Sequence, residues 1–284
     1  MRSELSSIKS RFAVEVEVEP PQVPFVVPIV SHTRKVGPDF AKRLAARAHG
    51  TLTEDLDDIG LMDDFSMLQG PDFDPAQVDP LIRELYEHTT RFTLDVVPHW
   101  SLIYKPAFWL FRKLFAEATG QFNLPFDARE AAQGLESHID TIGFNDGKTL
   151  DLRCWVRVYR QSRLSLYVGF YTTLRHNDRG YVSVGFPLPF ASLTSTLRPT
   201  NRGARLLLRT RREDGTVAGD YISLLNPLTD RLTVFRIPRF HEEIEVFVEN
   251  GELVAHHRFY FIGRRFLTLV FTIHRKPNGA RAIG

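Results

Sequence analysis

The sequence contains a single cysteine, Cys154, among 284 residues. One cysteine cannot form an internal disulfide or a thiolate cluster for zinc, and its scarcity agrees with a reducing compartment. No apolar run reaches the roughly 18 residues that span a bilayer, and residues 1–12 lack the apolar core of a signal peptide. We therefore expect a cytoplasmic chain without a membrane span, in which Cys154 is a small buried residue.

Motifs that identify an activity are also missing. The sequence has no G-x-S-x-G elbow, no Walker A loop and no G-x-G-x-x-G turn, so it carries no fingerprint of a serine hydrolase or a nucleotide-binding protein. The acidic stretch from Asp55 places Ser66 where an EF-hand needs its bidentate acid. Asp57 and Asp58 lack the third carboxylate of a magnesium–diphosphate site. We expect no metal and no cofactor.

The small net charge of +2 conceals two oppositely charged halves. Residues 1–150 contain 15 Lys and Arg against 23 Asp and Glu, a net −8, and residues 151–284 contain 21 against 11, a net +10. Of the later cations 20 are arginines, and they recur singly along the chain. This spacing favours solvated strand faces that the first half partly neutralises, with an anion-binding or nucleic-acid surface as the alternative. We expect no nucleic-acid partner.

The first half reads as an extended segment followed by short helices. Residues 12–18 alternate apolar and acidic side chains, as a half-buried strand does. Residues 20–30 include four prolines, which forbid a helix. We expect this apolar track to lie in a groove of the sheet, as a lid or plug.

Three helices are predicted in the first half, over 38–49, 79–89 and 106–118. Asp79 is expected to cap the second helix, with Pro80 in its first turn. The third helix carries an apolar stripe, which we assign to the core instead of a membrane surface. The stripe consists of Phe108, Phe111, Leu114 and Phe115.

From about Leu150 to Lys276 the hydrophobic period is two, which indicates antiparallel strands. Turn signals follow at intervals typical of an up-and-down meander of about seven or eight strands. We predict an α+β fold: mainly an antiparallel β-barrel or curved sheet, calycin- or lipocalin-like, with a small helical N-terminal part. The domains expected are 1–145, packing on the barrel, and 146–284, the barrel itself.

Asn250-Gly251 is the strongest hairpin signal in the chain. A two-residue turn there pairs Val248 with Leu253 and Ile244 with His257 on one face. The other face then pairs Glu245 with His256 and Glu243 with Arg258, so opposite charges support the register. It follows that His257, Phe259 and Phe261 point inward and that the charged pairs point outward.

The inward His257 has two interpretations: a neutral histidine hydrogen-bonded in the core, or a polar group inside a ligand cavity that donates a hydrogen bond or moves a proton. Under the second interpretation it is the candidate catalytic residue. Its neighbour His256 faces the other way, so the two do not chelate one ion, and His241 lacks the second histidine of a helical zinc motif. Which face of the strands 152–159 and 164–174 is interior stays open. The candidate substrate-binding residues are Trp155, Tyr159, Tyr167, Tyr171, Phe259 and Phe261.

Several segments resemble the soluble domain of the YndJ-like family: residues 91–125, GFYTTL (169–174), GFPLP (185–189), LRPTN (197–201) and HRFYFIGRRFLTLVFTI (257–273). The resemblance covers residues 85–275, and that family has no assigned activity to carry over. The Arg- and Ala-rich composition is similar to that of high-GC actinobacterial proteins. In architecture alone, the predicted barrel is similar to the cofactor-free spirotetronate cyclases.

We therefore expect the chain to bind a hydrophobic small molecule in a β-barrel cavity. The leading hypothesis is a cofactor-independent cyclase or isomerase acting on a polyketide-type intermediate in natural-product biosynthesis. The alternatives are a non-catalytic carrier or sequestering protein, and an interaction module that uses the Arg-rich barrel surface. A hollow interior would favour the first two and a packed one the third. The oligomeric state is left open.

Overall fold

The computed structural model describes residues 13–144, 152–226, 228–229 and 231–277, and of residues 13–17 the backbone alone. These residues form one large antiparallel sheet with short helices around it. The predicted fold class is confirmed at this level. The strands in chain order are β1 (Ala13–Val18), β2 (Thr51–Thr53), β3 (Phe92–Trp100), β4 (Leu135–Gly143), β5 (Leu152–Tyr159), β6 (Ser165–His176), β7 (Arg179–Leu188), β8 (Ala191–Arg202), β9 (Arg205–Arg209), β10 (Gly219–Leu225), β11 (Leu232–Arg236), β12 (Phe240–Glu249), β13 (Glu252–Phe261) and β14 (Arg264–Arg275).

The main path through the sheet runs β2-β4-β5-β6-β7-β8-β9-β12-β13-β14-β3. Its two end strands do not pair with each other, so the sheet is barrel-like and open. The prediction of about seven or eight strands was too low, because β5 to β14 alone make ten. The division at 145/146 stays a prediction and its boundary lies outside the described residues, but β2, β3 and β4 from the first half join the same sheet.

Strand β8 is the point at which the sheet divides. One of its edges pairs with β7. Along the other edge, residues 192–196 pair with β10 and residues 198–202 pair with β9. The sheet therefore forks into a short wing of β10, β11 and β1 and a longer wing of β9, β12, β13, β14 and β3.

The predicted hairpin register is confirmed residue by residue from Phe240↔Phe261 to Glu249↔Glu252. Asn250 and Gly251 both have positive φ, at 51° and 83°, as a two-residue hairpin turn requires. Glu245 faces away from the interior as predicted, and it is nevertheless buried because the long side chains of Arg202, Arg205 and Arg258 cover it.

The helices are α1 (Phe40–Ala48), α2 (Pro80–Glu87), α3 (Lys105–Phe111) and α4 (Ala128–Ala131), and α3 continues through a π-helical segment (Arg112–Ala116) into a last turn (Glu117–Thr119). Short 3-10 turns cover Pro20–Gln22, Phe65–Leu68, Pro75–Gln77 and Thr89–Arg91. Asp79 caps α2 as predicted, because its Oδ1 accepts from the Leu81 N–H at 2.9 Å. All three predicted helices are therefore present.

The Pro-rich segment lies across the outer face of β7 and β8. Hydroxyl groups of the sheet bind its backbone: Thr196 Oγ1 donates to the Phe25 carbonyl at 2.6 Å, and Ser192 Oγ donates to the Val27 carbonyl at 2.7 Å. Gly185 gives the segment room, since a Cβ there would stand 2.6 Å from the Val27 Cβ. The groove is as predicted, but the segment does not cover the interior, so its assignment as a lid was wrong.

The two charge-complementary halves meet through ion pairs. Asp72 in the first half binds both Arg179 and Arg198, at 3.1 and 3.0 Å. Arg153 likewise pairs with Asp63, and Arg275 with Glu84. The acidic first half thus neutralises part of the Arg-rich sheet, as predicted.

The open question about β5 and β6 is settled by their two faces. Cys154, Val156 and Phe170 pack on the outer side against α1 and the preceding segment, and Cys154 is buried as predicted. Trp155, Tyr167 and the other residues of the alternate set face the concave side. The concave side of the sheet is therefore lined with aromatic and polar side chains from these strands.

Candidate functional site: an apolar cavity

The concave side of the sheet encloses a cavity of about 600 Å³. Strands β3, β5 to β10 and β12 to β14 form its walls, and α2 and α3 cover it at its ends. Its lining is almost entirely apolar. A volume of this size falls in the usual range of small-molecule pockets, roughly 300–1,000 Å³.

The cavity brings most of the predicted site residues together. Trp155, Tyr167, Tyr171, His257, Phe259 and Phe261 all line it. The Trp155 ring makes edge contacts with Tyr167 and Tyr171, at 6.3 and 5.8 Å between centroids. Tyr159 does not line the cavity, because its hydroxyl group donates to the Asn123 carbonyl at 2.9 Å and its ring is buried beside it.

The cavity opens between α3 and the β13–β14 turn. Phe111 and Phe261 both line the cavity and are about two-fifths exposed, which marks the mouth. We define the rim as the exposed apolar side chains of the helical segment 105–119, of the loop before it and of the β13–β14 turn: Leu102, Ile103, Trp109, Leu110, Leu114 and Ile262. The expectation that the α3 stripe belongs to the core was wrong for Phe111 and Leu114, because α3 covers the cavity as a rim and not a packed layer.

One pair of titratable residues reaches the cavity from β12 and β13. The His257 Nε2 lies 2.5 Å from Glu242 Oε2, and both residues line the cavity. Burial by itself raises the pKa of the Glu242 carboxyl, but the charge and hydrogen bond of His257 outweigh it and the net pKa is lowered. The Glu242 carboxylate accepts a hydrogen bond from Nε2–H of His257, so Nδ1 is the ring nitrogen left for a contact with a ligand.

Behind this pair lies a second buried carboxyl, Asp220 on β10. Ser195 Oγ donates to its Oδ1 at 2.9 Å. Burial, together with the negative charge of Glu242, raises the pKa of Asp220 well above its ordinary value. The direction of the two pKa shifts favours a neutral Asp220 beside a charged Glu242.

Arg157 on β5 is the second charged group of the cavity wall. It is 2% exposed, and no carboxylate within the described residues pairs with it. Its Cζ lies 5.0, 5.5 and 5.2 Å from the ring centroids of Trp155, Tyr167 and Phe271. Nη1 donates to the Tyr167 hydroxyl at 3.3 Å, and Nε and Nη2 have no hydrogen-bond partner.

Three of these polar residues were missed in the sequence. The hairpin register places Glu242 opposite Phe259, on the same face as His257, so the signal for Glu242 was present. Arg157 shares the alternate face of β5 with Trp155 but was treated as one of many solvated arginines. Asp220 lies on a short strand beside the fork and left no signal. Among the residues described, no three His, Cys, Asp or Glu side chains gather as a metal site.

Over 245 residues, 84% of its length, the chain is 26% identical to the uncharacterized membrane protein YndJ of Bacillus subtilis (strain 168). The resemblance to the YndJ-like family is confirmed. The chain spans 41% of the length of that relative, whose function is unknown. No family model matches the sequence, and no solved structure matches it.

The expectation of a cytoplasmic chain was wrong, because the relative is named a membrane protein. That expectation was based on the lack of a long apolar run in a chain that spans less than half of the relative's length. In the part of the chain that the structure describes, no helix combines the length and the apolar character needed to cross a bilayer.

Proposed function

We propose that this chain binds a hydrophobic small molecule in the cavity. The observation that carries the proposal is the cavity itself: about 600 Å³, apolar, and open to the surface beside α3. A sheet folded only for stability packs its concave side with side chains. A polar pair and one arginine in an otherwise apolar wall are the usual means of orienting a ligand.

Filling the cavity tests this proposal. Ala255→Phe places a ring in the cavity, whereas Ala45→Phe places the same ring in the packed cluster under α1. We expect Ala255→Phe to keep or raise the melting temperature and to abolish fluorescence enhancement of the neutral probe N-phenyl-1-naphthylamine. Ala45→Phe should cost about 1–3 kcal/mol and leave probe binding intact. Equal destabilisation by both substitutions, or no probe binding by the wild type, would refute a hollow site.

A second candidate function is catalysis in the same cavity, as a cyclase or isomerase of a polyketide-type intermediate. The Glu242–His257 pair supports it, because a histidine held by a buried carboxylate is a common general base. In an isomerisation, His257 Nδ1 would take a proton from the carbon beside a carbonyl group. It would then return the proton to the γ carbon, the far end of the original double bond, as the double bond moves between the α and β carbons, which conserves atoms and charge.

A β,γ-unsaturated ketone serves as the probe for this step, since the double-bond shift changes its ultraviolet absorbance. We expect turnover by the wild type and none by His257→Gln, which should still bind N-phenyl-1-naphthylamine. His256→Gln, on the same strand but facing away from the cavity, is the control and should retain turnover. Binding without turnover in the wild type would overturn catalysis in favour of a carrier protein.

The exposed apolar rim of the mouth supports a route by which the ligand enters the cavity. Leu102, Ile103 and Leu114 are 80, 78 and 72% exposed, and exposed cations flank the rim at Lys113, Arg264 and Arg265. Apolar side chains with adjacent cations suit the surface of an anionic bilayer. Together with the membrane-protein name of the relative, this arrangement supports loading of the cavity from a lipid surface.

Vesicle sedimentation tests the lipid surface. We expect binding to vesicles of phosphatidylcholine with one quarter phosphatidylglycerol, weaker binding to phosphatidylcholine alone, and loss of binding in Leu110→Ser/Leu114→Ser. Leu228→Ser, an exposed leucine in the turn before β11, is the matched control. No binding to either vesicle would refute the proposal, as would a dimer in light scattering that the double variant dissociates.

A further inference from the structure

We propose that the ligand carries a carboxylate group and that Arg157 binds it. The inference rests on the proposed cavity function and names the chemical class of the ligand. It depends on three observations: Arg157 is buried, two of its guanidinium nitrogens have no hydrogen-bond partner, and Arg157 lines the cavity.

The lack of a partner is unusual for this residue type. A buried arginine is normally paired with a carboxylate, because an unpaired buried charge is costly. Elsewhere in this chain the rule holds, since the buried Arg198 binds both Asp72 and Glu213. Arg157 breaks the rule at the cavity wall, where a ligand can supply the missing anion.

The three aromatic rings hold the guanidinium in place before the ligand arrives. Trp155 and Tyr167 lie on neighbouring strands, and Phe271 approaches from β14 across the cavity. Arginine has a rigid, planar set of donors that matches the two oxygens of a carboxylate. The rings thus hold the guanidinium in one orientation at the cavity wall, where Nε and Nη2 are buried and have no hydrogen-bond partner.

The rest of the lining determines the remainder of the ligand. The acidic side chain of the lining is Glu242, whose carboxylate is bonded to His257 and disfavours an anion at that end of the cavity. The other side chains of the wall are apolar or aromatic, apart from a few hydroxyls. The ligand class that fits is an amphipathic carboxylic acid, with its acid group on Arg157 and its hydrocarbon part in the cavity.

Three probes with the same chain separate the head group from the tail: dodecanoate, dodecanol and dodecylammonium, each below its micellar concentration. Titration calorimetry should give a dissociation constant about tenfold to hundredfold lower for dodecanoate than for dodecanol, with dodecylammonium weakest. Arg157→Met should bind dodecanoate and dodecanol equally. Arg153→Met, on the same strand and with its own partner Asp63, should keep the preference.

The outcomes distinguish this inference from the proposed function. If the wild type binds dodecanol and dodecanoate equally, the role of Arg157 is refuted and the hydrophobic site stands. If it binds neither, the cavity function fails and the inference with it. Loss of the preference in Arg157→Met with unchanged dodecanol binding shows that the variant is folded and confirms the carboxylate contact. An unchanged preference in Arg157→Met refutes it.

Discussion

Replacing Arg157 by methionine should stabilise the empty protein. Methionine has a similar length and no charge, and its sulfur packs well against aromatic rings. An uncompensated buried charge costs about 3–5 kcal/mol. Cation–π attraction to the rings around the guanidinium offsets about 2 kcal/mol of this cost. The difference predicts that Arg157→Met raises the free energy of unfolding by about 1–3 kcal/mol, or the melting temperature by about 2–8 °C.

Urea denaturation at 25 °C measures this gain, and an unchanged m-value shows that the same surface unfolds. Arg153→Met is the matched control. It loses the Asp63 ion pair and the hydrogen bond from Nη1 to the Gly60 carbonyl, so its stability should fall by about 1 kcal/mol. Dodecanoate should raise the melting temperature of the wild type but not of Arg157→Met. A destabilised Arg157→Met would refute the reasoning, because the rings would then make Arg157 a structural residue.

Three further predictions concern the surroundings of the cavity. Because the pKa of Asp220 is raised, its contribution to stability is complete below pH 3.8 and is lost as the pH rises towards the folded pKa. Relative to the wild type, Asp220→Asn should therefore become more stable as the pH rises, by at most about 1.4 kcal/mol per pH unit. A constant difference between the melting temperatures of the two proteins from pH 4 to pH 9 would contradict this. Glu245→Ala should lower the free energy of unfolding in urea by about 1–3 kcal/mol, because Arg258 loses one of its carboxylates. Glu249 is exposed, and Glu249→Ala should lower it by less than about 0.5 kcal/mol. Gly185→Ala should cost about 1–3 kcal/mol by pressing on the Val27 Cβ. Val27→Gly, which removes that atom, should therefore cost less in the Gly185→Ala background than in the wild type, and equal costs would show that the clash is not the cause.

The sequence predicts the hairpin of β12 and β13 in full, because a two-residue turn and a period of two determine every cross-strand pair. It fails for β3, where Pro98 argues against a strand. Pro98 is tolerated because β3 is an edge strand that pairs with β14 alone.

The candidate site likewise contains some residues that the sequence predicts and others that it does not. His257, Phe259 and Phe261 were predicted because a local register places them. Arg157 and Asp220 could not be, since their burial depends on strands distant in sequence: Phe271 closes over Arg157, and Glu242 lies beside Asp220. Local patterns reveal which side chains share a face. They do not reveal whether a charged side chain on that face meets solvent, a partner or an empty cavity.

The fork at β8 has a mechanical consequence. Where the two wings part, Asp220 of one wing and Glu242 of the other are joined by side chains, with Ser195 of the shared strand bonded to Asp220. A continuous ladder of backbone hydrogen bonds resists a change of angle between strands whatever the pH, whereas a contact between buried acids depends on their charge. The two wings therefore meet at a junction whose stability changes with the charge on Asp220 and Glu242.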